Sequence, residues 1–130
     1  MPVLDASFVI DLERGGAAAL GALKTLKGES LELPWHAAVE VLVGREDPVA
    51  TLAALRSSYE IGFPDEAHLL EGARLRKAAL EQGRRAHWGD IYIATTALLS
   101  GTYVLTANAK DFEALGCRVW DYRKGGKPPA

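Results

Sequence analysis

The chain has 130 residues, 48% hydrophobic and 25% charged, with a net charge of −2; that suffices for one domain with its own core and excludes nucleic-acid binding through bulk positive charge. A single cysteine, Cys117, excludes an internal disulfide and a zinc framework. No apolar run approaches the roughly 20 residues of a membrane span, and an acid at position 5 breaks any leader pattern, so a cytoplasmic location is expected.

Met1 to Leu4 reads as a short buried strand that ends on Asp5. Ser7 fits an N-cap for a helix over "FVIDLERG", stopped by Gly15 and Gly16. "AAALGALKTLKG" follows with helical spacing, and "SLELP" is a second strand closed by Pro34. "WHAAVEVLVG" predicts a helix ending near Gly44. Asp47 and Pro48 then cap and open another helix over "DPVATLAALRSS". "YEIGF" is a strand, and "PDEAHLLEGARLRKAALEQG" is the longest helix. "HWGDIYIATTALLSG" is a helix ended by Gly101, "TYVLT" a strand, "KDFEALG" a helical turn or two, and "CRVWDY" the last strand. Alternating strands and helices predict a parallel sheet covered by helices on both faces. A single domain spans residues 1–122, and the polar tail 123–130 is expected to be disordered.

Sheets of this kind place their sites outside the carboxyl ends of the strands. Asp5 and Thr106 both fall at such ends. Asp90 shares a helical face with Ile93, Ala94, Ala97 and Leu98, so its carboxylate points inward; an N-cap or helix-dipole role fits the spacing equally well. Glu40 lies in "AAVEVLVG", which offers little polar face for it, although a solvated position remains the alternative. Asp111 fits an N-cap for "FEALG", and Asn108 fits a turn. Asp11, Glu13, Glu32, Glu46, Asp65 and Glu66 read as surface or cap positions. Carboxylates gathered in one cleft would repel and take up protons unless a cation is bound. Hard oxygen ligands suit Mg²⁺ or Mn²⁺, which can activate water and stabilise a phosphodiester under attack.

In these stretches the chain resembles the PIN-domain ribonucleases, in particular the short VapC-type toxins of toxin–antitoxin pairs. "VLDASFVIDL" is similar to their first strand, with Asp5 as the first metal-site acid and Ser7 as a hydroxyl that helps position it. "AVEVLVG" is similar to the stretch carrying the second acid, Glu40, and "GDIYIATTALLSG" to the helix beginning with the third, Asp90. "YVLTANAKDFEALG" is similar to the late strand and turn that hold the last polar group. Many relatives carry an acid where this chain has Asn108. Two arrangements are therefore open: Asp111 as the fourth acid, or three acids with Asn108 as a neutral ligand. The resemblance implies a three-layer α/β/α sandwich around a mostly parallel sheet. It also implies an Mg²⁺- or Mn²⁺-dependent endoribonuclease, with Asp5 and Asp90 on the metal and Asp5, Glu40, Asp90 and Asp111 as catalytic acids. A homodimer and a cognate antitoxin seated in a groove near the active site are further implications.

Substrate contacts are expected from Ser7, Thr106 and Asn108, and RNA phosphates are expected to meet Arg84 and Arg85 in the basic stretch "RLRKAALEQGRR"; a solvated helix face is the alternative for that stretch. Trp35, Trp88 and Trp120 fit either base stacking or core packing. His36, His68 and His87 show no metal spacing. The apolar excess of "AAALGALKTL" and "VATLAAL" suits a groove for a partner helix or simple burial. Two other functions compete. A haloacid-dehalogenase-like phosphatase also starts from a strand-end aspartate, but needs an acid two residues later where this chain has Ser7. A non-catalytic PIN-like binding module would be expected to lose acids from the rim.

Overall fold

A computed structural model describes all residues, 1–130. Five short strands form one sheet: β1 (Val3–Leu4), β2 (Glu32–Pro34), β3 (Glu60–Gly62), β4 (Tyr103–Thr106) and β5 (Arg118–Asp121). Their spatial order is β3-β2-β1-β4-β5, and every neighbouring pair is parallel. Parallel strands need crossovers, supplied by α1 (Ala6–Glu13), α2 (Ala17–Thr25), α3 (Trp35–Leu42), α4 (Pro48–Ser58), α5 (Glu66–Glu81), α6 (Trp88–Ser100) and α7 (Ala109–Glu113). All residues of β1 and β4 are buried, as they must be when helices cover both faces of a sheet. The architecture is the α/β/α sandwich expected from the sequence. No helix is long and apolar enough to cross a membrane.

The chain runs outward from β1 through β2 to β3, then returns across the sheet to β4 on the other side of β1. The strand order therefore reverses between β1 and β4, the place where ligand crevices open in such sheets. Val3 pairs with Val104 and Leu4 with Leu105, so the next residues along, Asp5 and Thr106, emerge side by side at that crevice.

Several helix starts differ from the sequence expectation. Ser7 lies inside α1 and does not cap it; Asp5 holds the N-cap position, and the Ser7 hydroxyl turns back to the Asp5 carboxylate instead. Asp90 is not an N-cap either: α6 opens after His87, which leaves Asp90 in the first turn, where the helix dipole favours a negative charge. Likewise α7 opens after Asn108 and places Asp111 in its first turn. Asp47 caps α4 as expected, accepting from the Ala50 N–H at 3.0 Å, with Pro48 at the first position. Gly101 ends α6 at φ +66°, a conformation that suits glycine.

The expected tail is more engaged than its composition suggests. Tyr122–Lys124 form a 3-10 turn. The Tyr122 hydroxyl and the Arg123 guanidinium both donate to Asp11 Oδ2. Asp11, read from sequence as a surface or cap position, thus ties the C-terminal turn to α1.

Candidate active site

Asp5 is buried, and only 5% of its surface is exposed. Burying a carboxylate is costly unless donors replace its water. Two hydroxyls do so here. Ser7 Oγ donates to Asp5 Oδ2 at 3.0 Å and Thr106 Oγ1 donates to the same oxygen at 2.8 Å. Each hydroxyl is itself held by a backbone N–H, that of Ala107 at 3.2 Å for Ser7 and that of Asn108 at 2.8 Å for Thr106. Oδ1 receives no donor from the chain. Ser7 and Thr106 therefore aim Asp5, and their protons are committed to it. Asn108 is exposed, and its backbone supports Thr106.

Asp90 sits in an opposite environment. No side chain donates to it. Its carboxyl is pushed up to about 6, first by burial, then by the charges of Asp5 and Asp111; Glu40 adds a smaller push and His87 pulls the other way. Glu40 is pushed up as well, by burial first and then by Asp5, with His36 opposing. Asp5, Glu40 and Asp111 thus all bear on Asp90 by charge, although their sequence positions span more than 100 residues.

Asp90 and Asp111 line a cavity of about 280 Å³ together with Arg84, Arg85 and His87. Asp5 and Glu40 bear on Asp90 by charge without lining this cavity. Of the basic stretch, Arg84 and Arg85 reach the cavity. Arg74 is paired with Glu71, and Arg76 donates to the Ala86 carbonyl while its guanidinium lies 4.9 Å from the centre of the Trp88 ring. His87 lines the cavity because it caps the helix that carries Asp90. Trp120 is a core residue, whereas Trp88 is half exposed and stacks on Tyr92.

No three His, Cys, Asp or Glu side chains close on a single point. The carboxylates act on one another by charge but do not form a finished cage. That donor set fits Mg²⁺, which keeps several waters and is commonly held by one or two carboxylates together with substrate phosphates. The residue two positions after Asp5, where a phosphatase of the aspartate-nucleophile type needs an acid, is Ser7, whose hydroxyl is spent on Asp5.

No family model matches the chain, and no curated protein matches it. Solved structures do match. VapBC-1 from nontypeable Haemophilus influenzae is similar at a TM-score of 0.78 and 20% identity, over 93% of this chain and 97% of that one. FitAcB from Neisseria gonorrhoeae is similar at 0.77 and 20%, over 95% and 99%. A toxin–antitoxin complex from Klebsiella pneumoniae is similar at 0.72 and 25%, over 86% and 90%. The fold is thus shared, nearly end to end, with structures of the toxin–antitoxin group that the sequence resemblance pointed to.

Proposed function

We propose that the chain is an Mg²⁺- or Mn²⁺-dependent endoribonuclease and the toxin of a toxin–antitoxin pair, active in the cytoplasm. The observation that carries this reading is the Asp90 carboxyl. It is raised to about 6 by burial and by Asp5 and Asp111, at the crevice where the strand order reverses. A carboxyl surrounded by like charges, with no donor of its own, is a place prepared for a cation. Asp5 and Asp90 would hold the ion, and Glu40 and Asp111 would add negative charge around them. When bound, the ion supplies an activated water and charge stabilisation for phosphodiester hydrolysis. Ser7 and Thr106 keep Asp5 in one orientation throughout. Arg84 and Arg85 take the flanking RNA phosphates along the cavity wall, with Asn108 as a further substrate contact, and neutralise the repulsion between substrate and acids.

The antitoxin reading draws on the apolar surface that the sequence hinted at, which lies beside the amino ends of β2 and β3 and not, as expected, near the acids at the carboxyl ends of the strands. Two adjoining cavities of about 510 and 350 Å³ share Leu12, Ser58 and Tyr59, with α2 contributing Leu23 and α4 contributing Leu55. Lys24, Lys27 and Arg45 line these cavities together with Glu13 and Glu29, and Arg45 is paired with Glu13. The apolar lining fits one face of an amphipathic helix. A homodimer completes the proposal.

The decisive experiment is cleavage of single-stranded RNA in the presence of Mg²⁺ or Mn²⁺. Activity abolished by chelator and reduced about 10²–10³-fold by Asp5→Asn or Asp90→Asn supports the reading. Hydrolysis of small phosphomonoesters without RNA cleavage overturns it in favour of a phosphatase, and absence of both activities overturns it in favour of a binding module.

A further inference from the structure

His36 precedes Glu40 by four residues on α3, so the two side chains share a helix face. His36 Nδ1 lies 3.4 Å from Glu40 Oε1. That nitrogen is shielded from solvent and has no hydrogen-bond partner. An orphaned buried polar atom is costly, and in native proteins it calls for an explanation. The ring is confined: its centroid is 5.4 Å from that of Trp35 and 5.6 Å from that of Tyr92. Gly89 closes the remaining side. A Cβ at that position would fall 2.6 Å from His36 Cε1, 3.0 Å from His36 Nδ1 and 3.0 Å from Glu40 Oε1. Only a residue without a side chain lets the first turn of α6 approach α3 so closely, and the next residue in that turn is Asp90.

We propose that His36 is a positioning residue: with a divalent cation in the pocket, its Nδ1–H donates to the Glu40 carboxylate and fixes Glu40 toward Asp90, while Gly89 provides the clearance. The proposal rests on the metal-dependent reading above. A separation of 3.4 Å lies just beyond the usual N–H···O range. The Glu40 side chain, half exposed, has the freedom to close that gap by a small change of rotamer. Outer partners of this kind typically change metal affinity 10- to 100-fold.

Titration calorimetry of the full chain with Mn²⁺, without RNA, tests the role. His36→Leu is expected to weaken binding at least ~10-fold. His36→Asn, whose amide N–H stands near the place of Nδ1, is expected to restore most of it. Gly89→Ala is expected to weaken binding even though alanine favours the helix, because its methyl group displaces His36 and Glu40. Nitrogen-15 spectra of the Mg²⁺-loaded protein are expected to show the His36 ring protonated at Nδ1. Wild-type affinity in His36→Leu, equal losses in His36→Leu and His36→Asn, or a ring protonated only at Nε2 overturns the positioning role. If Asp90→Asn also keeps wild-type affinity, the metal-dependent reading falls and takes this proposal with it. A loss in Asp90→Asn with none in His36→Leu removes only the role of His36.

Discussion

Asp11 and Asp90 are both helical aspartates, and the molecule treats them in opposite ways. Asp11 Oδ2 receives the Tyr122 hydroxyl and the Arg123 guanidinium, the latter at 2.7 Å, and its carboxyl is held below the ordinary value by those two donors, Tyr122 first. Asp90 has no donor and is raised to about 6 by burial and by neighbouring acids. The first carboxylate is satisfied by the chain itself and clasps the C-terminal turn to α1. The second is left unsatisfied at the one crevice the topology creates. A folded chain tolerates such a group when the loss is recovered in function.

The comparison breaks most sharply in activity. Asp90→Asn is expected to lower RNA cleavage by about 10²–10³-fold, while Asp11→Asn leaves kcat/KM of the folded protein near that of the wild type. A large loss in Asp11→Asn would mean that the clasp also serves the chemistry.

Stability should move the other way. Asp11→Asn removes a charged acceptor from two donors and is expected to cost about 1.5–3 kcal/mol in urea unfolding. Asp90→Asn removes a charge that the folded state resists, so the metal-free protein should unfold at higher urea at pH 7.5.

The pH dependences carry opposite signs. The Asp90 group binds its proton more tightly when folded, so its favourable contribution is complete below about pH 4, the ordinary aspartate value, and is lost as pH rises through about 6. The Asp11 group is depressed, so its contribution is present above the ordinary value and is lost as pH falls through the folded one. Added Mg²⁺ should therefore raise the melting temperature more at pH 7.5 than at pH 5, and the excess should vanish in Asp90→Asn.

A smaller effect sharpens the contrast within the site. Thr106→Val deletes one donor to Asp5 and the acceptor of the Asn108 N–H. A cost of about 1–3 kcal/mol in unfolding is expected, with activity reduced but not abolished because Ser7 still holds Asp5. The smallest change is expected from replacing Arg84 and Arg85 by alanine. RNA affinity should fall evenly across sequences, and its salt slope should drop by about 1.4, two phosphates at roughly 0.7 each for a single strand. An unchanged slope would detach these arginines from the substrate.

Much of this was legible along the chain. The order of strands and helices followed from periodicity, caps and glycines, because Asp47–Pro48 and Gly101 act on their own neighbours. Asp5 and Asp90 stood out because each follows or opens an apolar element that leaves a carboxylate little water. The helix starts at Ser7 and Asp111 were misplaced, and the role of Asp90 was left open, because an acid or hydroxyl near a helix start fits a cap equally well when its partner is out of view. Ser7 in fact turns to Asp5, and Asp90 and Asp111 face the cavity.

Local patterning determined the element order, the buried faces and the strand ends from which polar groups emerge, since these depend on residues a few positions apart. Tertiary structure alone decided which groups meet. Thr106 reaches Asp5 across 101 positions and Arg123 reaches Asp11 across 112. The bare backbone of Gly89 admits His36 and Glu40 beside Asp90. Such meetings depend on the register of β1 against β4 and on the packing of α3 against α6, which no spacing along one chain encodes.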